Sequence, residues 1–222
     1  MPMAGKGMLL TSMDIAPADE ADFNRWYDRE HIAERVAIDG FIEARRYIAH
    51  DTAPKYLGLY STARFADLDS PAYRTALANQ TEWSLHNIAR FRNMIRAVAR
   101  ITLSRGQGRG AWLGIVRIRP VAAARDRLRE TLSALLDPAD LAGIISMHLL
   151  ESDPTLSKSL TDPPDRPNPG AADWFVLVDG TSAAAVAGIV ETRLGPGLPT
   201  EAATRISAGI YALMWDLAKS DL

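Results

Sequence analysis

One short segment of the chain concentrates the side chains that could do acid–base chemistry. From Phe23 to Tyr47 it reads FNRWYDREHIAERVAIDGFIEARRY. His31 lies between two acids in this segment, Glu30 and Glu34. Histidine titrates near neutral pH, and two carboxylates four residues apart on a helix raise each other's pKa, which can tune a general base. The segment therefore predicts these three residues as catalytic candidates.

Aromatic side chains accompany these groups, and a second segment offers further candidates. Trp26 and Tyr27 precede His31 by about one helical turn, so they would form the walls of a pocket. Trp83 and His86 share one face of another predicted helix and could hold a small acid. The alternative for all of them is structural, with aromatic groups that pack, satisfied histidines and charges that face water. No spacing in the chain selects a metal site.

A helix must carry the first group, and the pattern predicts one over Asp19–Ile38. Gly40 follows its end, because glycine tolerates the left-handed conformation found there. At about 100° per residue, Ile32 and Val36 lie nearly opposite the polar candidates. The stripe that holds the candidates comprises Phe23, Tyr27, Glu30, His31 and Glu34.

The rest of the pattern predicts two successive β-α-β-β-α-β units. The first has elements at Gly7–Ile15, Asp19–Ile38, Phe41–Ala49, Tyr56–Phe65, Ser70–Phe91 with a break near Asn79, and Asn93–Arg105. The second has elements at Ala111–Pro120, Val121–Leu136, Gly143–Glu151, Asp173–Gly180, Thr181–Leu194 and Ile206–Leu217. We therefore divide the chain into a first unit at 1–105, a glycine-rich linker at 106–110 and a second unit at 111–222.

This element order predicts the α+β fold class. Each unit is ferredoxin-like, with a four-stranded antiparallel sheet and its helices on one face. The two open sheet faces can pack against each other, so the tandem units would form one α+β barrel with the helices outside.

Composition excludes several classes of function. The chain has 222 residues, of which 47% are hydrophobic and 23% charged, enough for a packed core. Its net charge of −2 gives no reason to expect nucleic acid or an anionic membrane as a partner. It contains no cysteine, which excludes disulfides and thiolate chemistry. Without a signal-peptide pattern or a long apolar run, we expect a cytoplasmic protein.

The segment also resembles a known family. Its Trp26-Tyr27, Glu30-His31, Gly40-Phe41 and Arg45-Arg46-Tyr47 runs resemble the first helix and second strand of EthD-like proteins, which belong to the dimeric α+β-barrel superfamily. The resemblance covers about residues 1–105. Asp39 replaces the usual proline, and the second half lacks the motif, so any such site would exist once.

The resemblance implies roles for particular residues. His31 would be the polar group of a pocket between helix and sheet, with Trp26 and Tyr27 as its walls. Arg46, or its neighbour Arg45, would point into that pocket or into the barrel. Because side chains alternate along a strand, these two arginines cannot share a face.

The predicted function is that of an EthD-like small-molecule protein. Its sharper form is a cofactor-independent enzyme doing acid–base chemistry on a small hydrophobic carbonyl or phenolic substrate. The superfamily also contains haem proteins, so a haem-binding protein is one alternative, and a non-catalytic ligand-binding or assembly module is another. An enzyme needs His31 at a concave pocket, whereas a module needs an exposed apolar patch on its helices. A homodimer stays an open alternative.

Overall fold

The computed structural model describes residues 3–158 and 168–222. Its strands are β1 (Gly7–Asp14), β2 (Phe41–Ala49), β3 (Tyr56–Thr62), β4 (Arg92–Gly106), β5 (Trp112–Pro120), β6 (Ile144–Ser152), β7 (Trp174–Gly180) and β8 (Ala203–Ala218). Its helices are α1 (Glu20–Trp26), α2 (Ile32–Ala37), α3 (Pro71–Ala78), α4 (Glu82–Ile88), α5 (Arg125–Leu135), α6 (Ala183–Ile189) and α7 (Gly195–Gly197). Across these two ranges, no helix is long and apolar enough to cross a membrane.

The strands form a closed antiparallel barrel in the order β1-β3-β2-β8-β5-β7-β6-β4. The first four strands lie side by side as β4-β1-β3-β2, and the last four repeat this order as β8-β5-β7-β6. Hydrogen-bonded pairing of β2 with β8 and of β4 with β6 joins the two sheets at both edges. The predicted α+β barrel is therefore confirmed, and strand pairing closes it. The division into units at 1–105 and 111–222 stays a prediction.

Element boundaries follow the sequence pattern closely. Ser70 caps α3 by accepting a hydrogen bond from the Tyr73 N–H, and Pro71 occupies the first helical position. The predicted break near Asn79 separates α3 from α4. The strand predicted over Tyr56–Phe65 is β3, which ends at Thr62, and a 3₁₀ turn begins at Phe65.

Three groups of buried side chains stabilise the barrel. One fills its interior and includes Leu10, Leu57 and Phe175. A second lies between the helices of the first half and their sheet, and it is rich in aromatic residues such as Phe23 and Trp26. A third lies between the helices of the second half and theirs. The second group encloses the candidate site.

Candidate functional site

The first helix does not keep ideal α-helical geometry. A π-helical turn at Tyr27–His31 separates α1 from α2, and the Ile32 N–H donates to the Tyr27 carbonyl five residues earlier. Such a turn inserts an extra residue and shifts the faces of the helix that follows it. Ile32 and Val36 are therefore buried along with His31, whereas Glu34 is exposed. Ideal periodicity grouped Glu34 with His31 and placed Ile32 and Val36 nearly opposite, and this prediction was wrong.

A small cavity lies between this helix, the α3–α4 pair and the sheet. Its volume is about 80 Å³. Leu77 and Gln80 are half-buried members of its lining, beside the break between α3 and α4. The lining comprises Leu9, Thr11, Tyr27, His31, Arg35, Tyr60, Tyr73, Leu77, Gln80, Ile88, Phe91, Met94 and Arg96.

His31 is held in this lining by aromatic rings. Its imidazole centroid lies 4.2 Å from the Trp26 ring, 5.0 Å from the Tyr27 ring and 6.1 Å from the Tyr60 ring. Only 9% of the residue is exposed, and its Nδ1 has no hydrogen-bond partner among the residues that the structure describes. Burial lowers the pKa of His31 well below its usual range, and the charges of Arg35 and Arg46 lower it further. The imidazole is therefore neutral at physiological pH.

Two buried arginines give the cavity its charge. Arg35 is 5% exposed, and its Nη2 donates to Gln80 Oε1 over 3.1 Å. Arg96 is 9% exposed and donates through Nη1 to the Leu156 carbonyl over 2.7 Å and through Nη2 to the Tyr73 hydroxyl over 3.3 Å. Neither forms an ion pair within residues 3–158 and 168–222, and the lining contains no acidic side chain. A buried guanidinium without a counter-ion favours an anionic ligand.

Besides Tyr73, two further phenols line the cavity, those of Tyr27 and Tyr60. Burial raises the pKa of Tyr27 and raises that of Tyr60 further, so both hydroxyls stay protonated near neutral pH. The hydroxyls of Tyr60 and Thr11 are buried, and neither has a hydrogen-bond partner of ordinary geometry in the described part of the chain. The cavity thus offers a group of neighbouring hydroxyls, from Tyr27, Tyr60 and Thr11, beside a neutral imidazole.

The two acids predicted to tune His31 lie outside this lining. Glu30 instead accepts hydrogen bonds from Thr81 over 2.6 Å and from Ser84 over 3.3 Å, which ties the first helix to the start of α4. Glu34 is exposed on α2, and its pKa is raised by partial burial and by repulsion from Glu30. The predicted repulsion between the acids is present, but the electrostatic influence on His31 comes from arginines.

Arg46 lies behind the cavity wall and does not line the cavity. It is 1% exposed, and its guanidinium carbon lies 4.3 Å from the centre of the Tyr27 ring. Nη1 donates to Asp28 over 2.7 Å and Nη2 donates to Asn24 over 2.5 Å. Arg45, on the opposite face of β2, is buried beside Glu43. Arg46 therefore supports Tyr27 from behind.

The other predicted ligand-binding residues are also placed away from the cavity. Trp26 is fully buried behind His31, and its Nε1 donates to Ser84 over 3.0 Å. Trp83 is half-buried and donates through Nε1 to Asp22 over 3.2 Å. His86 is exposed on α4. Tyr27 and His31 are the predicted site residues that the cavity brings together.

Haem does not fit the described residues. A haem iron needs a histidine that faces a large pocket. His31 faces only the small cavity, and His148 is fully buried with both ring nitrogens hydrogen-bonded to Ser104 and Ser146. The described lining of a larger cavity at the barrel end contains no histidine, and His50 and His86 are exposed.

Solved structures with the same architecture exist. An anthrone oxidase-like protein is 10% identical and aligns over 99% of this chain and 96% of its own, with a TM-score of 0.69. A candidate monooxygenase from Lactobacillus acidophilus is also 10% identical, over 97% of each chain, with a TM-score of 0.57. A candidate chlorite dismutase is 12% identical over 96% of each chain, with a TM-score of 0.58.

The chain shares the α+β-barrel fold of these proteins. At these identities the likeness extends to the fold and carries no information about chemistry. No protein-family model matches the sequence, and no curated protein matches it either. The EthD-like resemblance therefore stays a prediction.

The sequence contained signals for two residues that the prediction missed. Arg35 follows His31 by four residues, so the two share a helix face beyond the π-helical turn. Tyr60 follows Tyr56 by four residues along β3. Because side chains alternate between the two faces of a strand, both rings lie on the helix side of the sheet. Thr11 and Arg96 enter the cavity through strand pairing of β1 with β4, where they are directly opposite.

Proposed function

We propose that this protein is a cofactor-independent enzyme that removes a proton from a small hydrophobic carbonyl or phenolic compound. The observation that carries the proposal is a buried, neutral imidazole in a cavity whose described lining residues include two arginines and no acid. His31 would be the general base. Arg35 and Arg96 would stabilise the negative charge that develops on the substrate oxygen.

The proposed step transfers one proton and forms one oxyanion. A C–H bond next to a carbonyl, or a phenolic O–H bond, breaks, and its proton moves to a ring nitrogen of His31. For a carbonyl compound the electron pair moves to the oxygen, which becomes an enolate. The guanidinium groups and the hydroxyls of Tyr27 and Tyr60 are present before the reaction, so they can stabilise this charge without reorganisation.

The depressed pKa of His31 has two opposite effects on this step. It makes the imidazole a weaker base, which lowers the driving force for proton removal. It also keeps the imidazole deprotonated, so the base form dominates below neutral pH. The positive charge that disfavours imidazolium also favours the enolate, and the two effects offset each other once the substrate is bound.

Other predicted residues would act by positioning. Glu30 holds α4 against the first helix through Thr81, and Arg46 packs on the rear face of Tyr27. Trp26 fixes the plane of His31 by contact between the rings. These residues would keep the base and the phenols at fixed distances from the ligand.

The size and setting of the cavity restrict the substrate. A volume of about 80 Å³ suits a small ring compound only if the half-buried Leu77 and Gln80 move outward. Apolar lining residues such as Leu9, Ile88 and Phe91 favour a hydrophobic body. The name of the anthrone oxidase-like neighbour agrees with this class, because anthrone is an aromatic ketone.

An assembly module is less well supported. That alternative requires a contiguous apolar patch on the helices. Among the described residues, the exposed large hydrophobic side chains are Leu85, Val121, Ile206, Met214 and Leu222, and of these only Leu85 lies on a helix of the first half. Isolated exposed residues of this kind are ordinary on protein surfaces.

Deuterium exchange into 2-indanone, a small ketone with acidic C–H bonds, tests the proposal. In D₂O the wild-type protein should accelerate exchange over buffer by about 10²-fold or more. His31→Gln should abolish the acceleration, and Arg35→Met should remove about nine-tenths of it because one of the two guanidinium partners of the oxyanion is lost. His86→Gln is the matched control and should exchange like the wild type. Equal rates for His31→Gln and wild type would refute the role of His31.

A further inference from the structure

A second and much larger cavity lies at one end of the barrel. Its volume is about 590 Å³, within the range of about 300–1,000 Å³ that is typical of ligand sites. It opens where β5 ends and where β4 and β8 begin, and Ile95, Arg117 and Ser207 contribute to its lining. Met94 and Arg96 are the residues that it shares with the His31 cavity.

Arg117 provides a buried positive charge at this barrel-mouth cavity. It is 8% exposed. Its Nε donates to Asp173 over 2.5 Å and its Nη2 donates to the Pro169 carbonyl, whereas Nη1 has no hydrogen-bond partner in the part of the chain that the structure describes. Arg119 also donates to Asp173, over 2.8 Å. Two guanidinium groups thus share one carboxylate, and the cluster keeps a net positive charge.

The acid in the lining is already engaged. Asp14 accepts a hydrogen bond from the Lys55 N–H over 2.7 Å at one oxygen and from Asn93 over 2.9 Å at the other. Arg96, in contrast, has no ion-pair partner within residues 3–158 and 168–222. Among the residues that the structure describes, the lining and its partners Arg119 and Asp173 carry one more positive than negative charge, which favours an anion.

Apolar side chains line part of the cavity, which continues toward the barrel axis. Ile95, Pro54 and Ile206 line the outer part. A narrow inner extension of about 30 Å³ shares Arg117 and Ser207 with it and ends against Leu10, Leu57 and Phe175. An apolar body fits in the main cavity beside Ile95, Pro54 and Ile206 while an anionic group stays at the guanidinium of Arg117.

We infer that the barrel-mouth cavity is a second ligand site, which binds a small hydrophobic carboxylic acid with its carboxylate on Arg117. The inference does not depend on proton removal by His31. The two cavities differ in volume and in most of their lining residues, so ligands for one are not expected to fit the other.

Calorimetric titration with 2-naphthoate tests this site. The probe has an apolar bicyclic body and one carboxylate. The wild-type protein should bind one equivalent, and Ser207→Phe should weaken binding by about tenfold or more by filling the cavity from an exposed position. Thr204→Phe, exposed on the same strand and outside the lining, is the matched control and should bind like the wild type.

Two further measurements identify the interaction. Arg117→Met should weaken 2-naphthoate binding by about tenfold or more, and 2-naphthamide, which lacks the charge, should bind the wild type correspondingly more weakly. His31→Gln should leave the affinity unchanged. No binding of 2-naphthoate at millimolar concentrations, or equal affinity in Ser207→Phe and Thr204→Phe, would overturn the site. Equal affinity for acid and amide would overturn the assignment of the ligand class.

Discussion

The neutral state of buried His31 makes a quantitative prediction about protein stability. In the unfolded chain this histidine titrates near the ordinary histidine pKa of 6.5, whereas burial and two nearby arginines depress its pKa in the native state. Between these two pKa values the unfolded chain binds a proton that the native protein does not. Lowering the pH through this interval therefore favours unfolding, and the stability present above pH 6.5 is progressively lost.

The magnitude follows from proton linkage. Each pH unit below 6.5 costs the native state about 1.4 kcal/mol for as long as His31 stays neutral in it. If His31 is still neutral in the native protein at about pH 5, this single residue accounts there for a loss of about 2 kcal/mol relative to neutral pH. His31→Gln cannot take up a proton, so its stability should lack this component. The change in packing caused by glutamine affects both pH values and cancels in the comparison.

Urea unfolding at about pH 8 and about pH 5 measures the effect. The difference in unfolding free energy between wild type and His31→Gln should shift by about 2 kcal/mol toward the variant at the lower pH. His86→Gln, at an exposed histidine on α4, is the control and should show no such shift. A difference between wild type and His31→Gln that is independent of pH would refute the buried, neutral imidazole.

Two further predictions concern the barrel. Asp173→Asn should lower the unfolding free energy in a urea titration by about 3–5 kcal/mol, because it leaves the guanidinium of Arg117 buried without its counter-ion. The control is Asp126→Asn. The Asp126 side chain is 93% exposed, so this change should alter the unfolding free energy by less than about 0.5 kcal/mol. Gly40→Ala should destabilise by about 1–3 kcal/mol, because φ is +91° and the new Cβ would lie 2.6 Å from Asp67 Cβ. Gly188→Ala, in α6 with nothing within 4 Å, should instead raise the thermal midpoint. Equal effects within either pair would contradict these accounts.

The fold could be predicted because its signals are local. Alternation of apolar residues predicted a strand over Asn93–Arg105, and β4 spans Arg92–Gly106. Ser70-Pro71 marked the start of α3 in the same way. Closure of the barrel depends on pairing between residues far apart in the chain, such as Arg46 with Trp215, and no local pattern specifies such a pair.

The site was harder to predict because one irregular turn changes its composition. Ideal periodicity groups Glu30 and Glu34 with His31, but the structure has a π-helical turn there, both acids lie outside the cavity, and Arg35, four residues after His31, lines it instead. This exchange reverses the sign of the local charge. The sequence predicted a base tuned by acids, whereas the structure has a neutral imidazole in a cavity lined by arginines. Tyr27 and His31 both line this cavity.

The two cavities share one charged residue, Arg96, and the free edge of β4 explains how it is held in place. β4 pairs with β6 only from Ala99 onward, so its first residues extend past that neighbour. Asn168 takes up part of this free edge by exchanging hydrogen bonds with the backbone of Arg96. Arg96 is thereby fixed between the His31 cavity and the barrel-mouth cavity, and it contributes positive charge to both.

The most direct test of the central claim is a crystal structure with 4-nitrophenol at a pH where the free compound is ionised. The phenolate resembles the oxyanion that proton removal would produce. Our account predicts the ligand in the His31 cavity, with its phenolate oxygen within hydrogen-bond distance of Arg35 or Arg96 and its ring beside the imidazole. A ligand bound only elsewhere, or one whose oxygen points away from both guanidinium groups, would contradict the proposed function.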